Sequence, residues 1–241
     1  MSNQYFRFRQ FTIFQDRCAM KVGTDGVLLG CWAKGGKRIL DIGTGTGLIA
    51  LMMAQRCPMA HLTGIDIDEV ACSQAHENVN ASPFNHRIDI RHISLQDYAA
   101  EVSDSPIHDM HSFDAIVSNP PFFFQSLKSP DNRRKMARHT DTLPYWSLFS
   151  GVTALLSSDG EFSAIIPFDC LSAFISEAER AGLHLSRLCA VRTTPKKNPR
   201  RYLLSFRRQQ EHKTEVSEEV LENAPNQRSL WYKTISNDFY L

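Results

Sequence analysis

The sequence predicts an α/β fold around a largely parallel sheet. Short β-type runs alternate with helical patterns for most of the length, and a glycine-rich turn joins the first clear strand to a helix. The 241 residues, 42% of them hydrophobic, suffice to bury one substantial core, so one large domain is expected rather than two small ones.

The first clear strand is Arg38 to Ile42. A helix follows from about Thr46 to Arg56, with Leu48, Leu51 and Met52 on one face and Pro58 beyond its end. His61 to Ile65 reads as a second strand closed by Asp66, and Asp68 suits the cap of a helix running to about Asn80. Ile88 to His92 and Phe113 to Ser118 read as the third and fourth strands. The fourth stops at Asn119-Pro120-Pro121, because proline cannot donate to a ladder. Tyr145 to Leu156 reads as a helix, Gly160 to Pro167 as a strand and Phe168 to Ala181 as a helix. Leu185 to Val191 and Arg201 to Arg207 complete the pattern as an antiparallel pair. The polar, basic stretch Gln125 to Thr142 reads as a mobile loop. Gln209 to Asn226 is charged and weakly patterned, a loop with one short helix.

A net charge of only +1 announces no nucleic-acid partner in bulk, though clustered charge can still form a local basic face. Six cysteines, Cys18, Cys31, Cys57, Cys72, Cys170 and Cys189, lack the paired short spacing of metal ligands and read as reduced, mostly buried thiols, so no metal is expected. Residues Met1 to Gln10 carry Arg7 and Arg9 and lack the apolar centre of a signal peptide; no apolar run reaches the length of a membrane span. The expected location is cytoplasmic.

The turn Asp41-Ile42-Gly43-Thr44-Gly45-Thr46-Gly47 lets a ligand approach the backbone without meeting a Cβ atom. Asp66, about twenty residues on, stands where a carboxylate accepts both hydroxyls of a ribose. Together they specify an adenosine-bearing cofactor. The spacing Gly-x-Gly-x-Gly is not the dinucleotide fingerprint, and Asp41 just ahead of it would repel a phosphate but suits a cationic ammonium and sulfonium. The pattern resembles motif I of the class I S-adenosylmethionine-dependent methyltransferases. That resemblance implies a Rossmann-like domain with a mostly parallel seven-stranded sheet and helices on both faces. It also implies an adenine contact after the third strand, for which Ser94 and Asp97 are both candidates.

The fourth strand runs into Asn119-Pro120-Pro121-Phe122. An amino group on a base or an amide is a poor nucleophile, because its lone pair is delocalised. The Asn119 side-chain oxygen and the Pro120 carbonyl can each accept one N–H, the prolines stiffen the chain so that both converge, and Phe122 offers a stacking face. The tetrad resembles the (Asp/Asn/Ser)-Pro-Pro-(Tyr/Phe/Trp) motif of amino-methyltransferases, a likeness that also brings Asn119 to the cofactor. No general base is needed, so none of the nine histidines, His139 included, is assigned a catalytic role.

A narrower resemblance covers roughly residues 5 to 208. Met20-Lys21-Val22-Gly23-Thr24-Asp25-Gly26-Val27-Leu28-Leu29-Gly30, then Phe123, Phe124, Ala137-Arg138-His139-Thr140 and Leu143, are similar to bacterial methyltransferases that modify N6 of adenine 37 in a valine tRNA. It implies one domain over 1–241 in which an extension, 1–35, completes the cofactor pocket through Lys21, Thr24 and Asp25. A tRNA loop with a flipped base is the implied substrate, with neither DNA nor membrane as partner. Phe122 stands where many adenine N6 enzymes carry tyrosine, so guanine N2 of ribosomal RNA and the amide of a protein glutamine stay open as acceptors. A protein that binds cofactor or RNA without catalysis is the reading of a different class. Candidate phosphate contacts are Lys128, Arg133, Arg134, Lys135 and Arg138, and a second cluster of Lys196, Lys197, Arg200 and Arg201. Phe123, Phe124, Tyr145 and Trp146 are candidates to hold a splayed base.

Overall fold

The computed structural model describes residues 4–18, 20–104, 112–121, 143–210, 212–224 and 226–240. An antiparallel hairpin of β1 (Tyr5–Arg7) and β2 (Thr12–Phe14) precedes α1 (Thr24–Trp32). Strands and helices then alternate as β3 (Arg38–Ile42), α2 (Leu48–Arg56), β4 (His61–Asp66), α3 (Glu69–Asn80), β5 (Ile88–His92), α4 (Leu95–Ser103) and β6 (Phe113–Ser118). Beyond residue 143 come α5 (Tyr145–Leu155), β7 (Leu156–Pro167), α6 (Leu171–Arg180), β8 (His184–Arg192), β9 (Arg201–Arg207) and β10 (Glu215–Val220). A small antiparallel pair, β11 (Glu222–Ala224) and β12 (Gln227–Arg228), leads to α7 (Leu230–Ser236).

The main sheet runs β10-β8-β9-β7-β6-β3-β4-β5, with every neighbouring pair parallel except those of β9, which opposes both β7 and β8. The expected Rossmann-like architecture and the antiparallel pairing of the strands around Leu185 and Arg201 both hold. From β3 the chain adds β4 and β5 on one side, then returns to place β6 on the other. That reversal opens a crevice at the carboxyl ends of β3 and β6, where open α/β sheets bind ligands.

Successive strand residues point to opposite faces, and both faces are covered. Ile39, Ala115, Val117, Ile165 and Leu203 pack with α1, α2, α3 and α7, whereas Leu40, Ile116, Ile166 and Leu204 pack with α4, α5 and α6. The second face centres on an aromatic nest in which Phe149 meets Phe162, Phe174 and Phe206 at ring-centroid distances of 5.7, 4.8 and 5.7 Å. Phe149→Ala should cost about 3–5 kcal/mol of stability by urea unfolding, and a loss within error of zero would show that the nest collapses to refill the space.

Two expectations are corrected. Among the described residues the sheet has eight strands, not seven, and the eighth is β10, inside the segment read as a loop with a short helix. Glu215, Glu218 and Glu219 hide the pattern because β10 is an edge, and edges carry charge that discourages further pairing. The same segment holds β11, whose turn into β12 places Asn226 at φ 63°, and no helix among its described residues. The described residues contain no helix long and apolar enough to cross a membrane.

Candidate active site

The β3 exit is a backbone device. Gly43 and Thr44 both donate their N–H to the carbonyl of Ile65 on β4, at 2.9 and 3.0 Å, which folds the turn onto the neighbouring strand end. Gly43 and Gly45 sit at φ +72° and +54°, where an L side chain is strained, and a Cβ at either would meet nothing within 4 Å. Both therefore face open space rather than packing. Beneath the turn Asp41 is fully buried; its Oδ2 accepts from Thr44 Oγ1 at 2.8 Å and from the Ala50 N–H at 3.2 Å, stitching β3 to the start of α2.

Asp66, at the end of β4, reaches back across the crevice. One of its oxygens accepts from the Gly45 N–H at 2.8 Å and the other from the Asp68 N–H at 3.0 Å. A carboxylate has about four lone-pair sites, so each oxygen keeps acceptor capacity for a hydroxyl. Asp68 caps α3 by accepting from Val70 and Ala71. The N-terminal hairpin is strapped over this edge by Asn78, which accepts from the Phe14 N–H at 2.8 Å and donates to the carbonyls of Phe14 and Thr46 at 2.9 Å each.

On the other side of the crevice, Ser118 ends β6 and donates its hydroxyl to the Ile42 carbonyl at 2.9 Å, holding the two strand ends together. Asn119 follows. Its Oδ1 is buried with no hydrogen-bond partner among the described residues, while its Nδ2 lies 3.9 Å from Met20 Sδ. An unmet buried acceptor costs free energy unless a ligand satisfies it. Gly43, Gly45, Asp66, Asn119 and Pro121 share one cavity of about 310 Å3. Ile67 and Ile93 from the residues just beyond β4 and β5, Leu95 from α4, and Leu143 give it an apolar wall, beside the polar side chains of Asp68, Ser94 and Gln96.

Not every predicted residue reaches that cavity. Ser94 lines it and Asp97 does not: Ser94 caps α4 by accepting from the Asp97 N–H, and donates its hydroxyl to the Asp97 carboxylate at 2.6 Å. Asp41 and Gly47 shape the turn from below, and Pro120 is buried behind it. Lys21, Thr24 and Asp25 are not on the wall; Asp25 forms an ion pair with Arg201 at 2.5 Å, and burial still holds its carboxyl above the usual range against that guanidinium. Arg201, read with the basic cluster, is the partner of that ion pair. Tyr145 packs edge-on against Phe174 at 4.8 Å, whereas Trp146 is exposed. Phe122, Phe123, Phe124, Lys128, Arg133, Arg134, Lys135, Arg138 and His139 lie outside the described residues, as does the loop expected over 125–142.

Sequence reasoning missed Cys18, Met20, Ile67, Ile93 and Gln96 on the wall. Ile67 and Ile93 follow directly on strand ends, a positional signal that was there to be read. Burial and the nearby Asp68 and Asp66 push the Cys18 thiol up to about 11, so it stands in the cavity as a neutral, packed group. All six cysteines are free, and no cluster of metal-ligating side chains occurs among the described residues.

Burial also pushes Asp41 up to about 7, against the lowering effect of Thr44 and Ala50. Between about pH 4 and pH 7 the folded chain then holds a proton there that the unfolded chain has lost. This contribution to stability is full below the unfolded value of 3.8 and is lost as pH rises through about 7. The stability of Asp41→Asn relative to wild type should therefore increase from pH 5 to pH 7.5 in chemical unfolding, and parallel profiles would refute the shift.

A glycine turn with a buried acid beneath it, a carboxylate at the neighbouring strand end and an unmet amide oxygen across the crevice fit a methyltransferase, and comparison with known proteins shows that class. The methyltransferase small domain model matches residues 20–165, and the chain belongs to that family. It is 46% identical over 243 residues to a protein of Phocaeicola vulgatus named tRNA1(Val) (adenine(37)-N6)-methyltransferase, spanning 100% of this chain and 99% of that one. A protein of Histophilus somni with the same name is 41% identical over 241 residues, 99% of this chain and 98% of its own. Among solved structures, a predicted O-methyltransferase of Agrobacterium tumefaciens superposes with a TM-score of 0.65 at 15% identity, covering 89% of this chain and 96% of that one. A ribosomal protein L11 methylase of Lactobacillus delbrueckii gives 0.54 at 16% identity, covering 82% and 84%. These distant likenesses concern the fold alone.

Proposed function

We propose that the chain transfers a methyl group from S-adenosylmethionine to N6 of an adenine in tRNA, at the position for which its relatives are named. The observation that carries the reading is the buried Asn119 Oδ1, without a hydrogen-bond partner among the described residues, in the same cavity as the glycine turn and Asp66.

The residues fit the cofactor. The space a Cβ would fill at Gly43 and Gly45 is left open, Asp66 keeps acceptor capacity for the ribose hydroxyls, and Ile67, Ile93 and Leu95 offer apolar faces to an adenine, with Ser94 at its edge. Bound there, S-adenosylmethionine supplies an electrophilic methyl group on a sulfonium. The chain's own task is to aim a weak nucleophile at it. Asn119 Oδ1 accepts one N–H of the amine and the Pro120 carbonyl the other, so the nitrogen lone pair turns toward the cofactor side. Pro120 and Pro121 have fixed φ and hold that geometry without a loss of flexibility on binding. The cavity is recessed, so the adenine leaves its stack to enter, and Phe122 takes its ring. Residues 1–35 complete the pocket through Cys18 and Met20, within one domain over 1–241. A cytoplasmic location, with neither DNA nor membrane as partner, goes with a tRNA substrate and unpaired thiols.

The test is incubation with radiolabelled cofactor and separated tRNA, ribosomal RNA and protein fractions, followed by nucleoside analysis. Label in tRNA as N6-methyladenosine is expected. Label confined to protein, or recovered as N2-methylguanosine from ribosomal RNA, would overturn the reading.

A further inference from the structure

A second cleft lies at the same edge of the sheet, on the side of β6 away from the cofactor turn. It is bounded by Pro167, Phe168 and Asp169 after β7 and by Lys197, Asn198, Pro199 and Arg200 before β9, and encloses about 530 Å3. Ser118 pairs with Ala164 in the parallel β6–β7 ladder, so the same register continued places Pro167 level with Pro121. The cleft therefore opens one strand away from Asn119.

Its chemistry is specific. Phe168 is 50% exposed, unusual for a phenylalanine, and its ring stacks on Tyr202 at 5.9 Å and 25°. Lys197 and Arg200 are exposed, and no ion pair is recorded for either among the described residues, unlike Arg201 and Arg192, which pair with Asp25 and Glu218. The two sides of the cleft are tied by the backbone: Phe168 N–H donates to the Arg200 carbonyl at 3.0 Å, and Arg200 N–H to the Val191 carbonyl at 3.1 Å. An aromatic face and two cations thus line one cleft beside the acceptor site, on segments whose backbones are bonded to each other. A stacking ring with adjacent cations is the chemistry that recognises a single-stranded nucleotide, base on ring and phosphate on cations. Asp169, the one acid of the lining, offsets part of the charge and suits a ribose hydroxyl as donor.

We infer that this cleft binds a nucleotide of the RNA substrate adjoining the target adenine, with Phe168 stacking its base and Lys197 and Arg200 holding its phosphate. The inference rests on the RNA-methylating reading above. It extends that reading from one base to a second subsite that sets the path of the strand.

The experiment uses the full chain and an unmodified tRNA1(Val) transcript, measuring kcat and KM for RNA with cofactor saturating, and RNA affinity against salt. Lys197→Ala with Arg200→Ala should raise the KM for RNA at least about tenfold, leave kcat within about twofold, and lower the slope of log affinity against log salt by about one, since both cations serve one phosphate. Phe168→Ala should raise the same KM about tenfold and Phe168→Trp should restore it, since any flat ring stacks. A KM within twofold of wild type in the charge variant, or a tryptophan as damaging as alanine, would overturn the subsite while methylation by the wild type left the first reading standing. Failure of the wild type to methylate RNA in the same assay would overturn both.

Discussion

Asn119→Ala is expected to lower kcat at least about a hundredfold, with cofactor affinity changed only a few fold. The size follows from what the oxygen does. The exocyclic nitrogen of adenine has its lone pair in the ring system, and only an acceptor on its N–H frees that pair toward the methyl carbon. Asn119 Oδ1 is already buried and without a hydrogen-bond partner among the described residues, so its interaction with the amine needs no rearrangement when the reaction starts. Asn119→Asp keeps an acceptor oxygen and should retain more turnover than alanine; Asn119→Leu, which keeps bulk alone, should not. Steady-state kcat with tRNA saturating, beside cofactor titration by calorimetry, separates the roles. Wild-type kcat in the alanine variant would remove the assigned role. A cofactor Kd that rises in step with the loss of kcat would instead make Asn119 chiefly a cofactor residue.

The legible part of this molecule is the part where local chemistry admits one answer. Gly43 and Gly45 occur where φ is positive, Asp68 where α3 needs a cap, and Pro120 where β6 must stop, and each was readable from the chain alone. The central strands were readable because both sheet faces are covered, which makes Ile39-Leu40 or Ile165-Ile166 apolar on consecutive residues. What failed to show depends on partners distant in sequence. β10 is a strand because β8 offers it an edge, through pairs such as Val216 with Leu188, and its own alternation is drowned in glutamate. The ion pair of Asp25 with Arg201, 176 residues on (201 minus 25), is likewise invisible in the local sequence. Asp97 looked as suited to an adenine as Ser94, and only the cap geometry of α4 separates them. The apolar wall of Ile67, Ile93 and Leu143 carries no motif at all, because any aliphatic side chain at those places would do.

Asp66→Ala is the second large effect expected, a rise in cofactor Kd of about a hundredfold, since hydrogen bonds to a charged group contribute about 1.5–3 kcal/mol each. Two roles are open to this carboxylate: it braces the turn through the Gly45 and Asp68 amides, and it takes the ribose hydroxyls. A loss of affinity alone does not choose between them, because a slack turn would also bind poorly. Pairing the substitution with a change in the ligand does. If Asp66 holds the ribose, removing the 2′-hydroxyl from S-adenosylhomocysteine weakens binding to wild type but scarcely further to Asp66→Ala, and the two losses are not additive. If it only braces the turn, the hydroxyl matters equally in both proteins and the losses add. The half-buried position of Asp66 lets water replace it at the Gly45 amide, so the variant should stay folded with a melting temperature near that of wild type. Additive losses would leave Asp66 a structural role and would move recognition of the ribose to another part of the crevice.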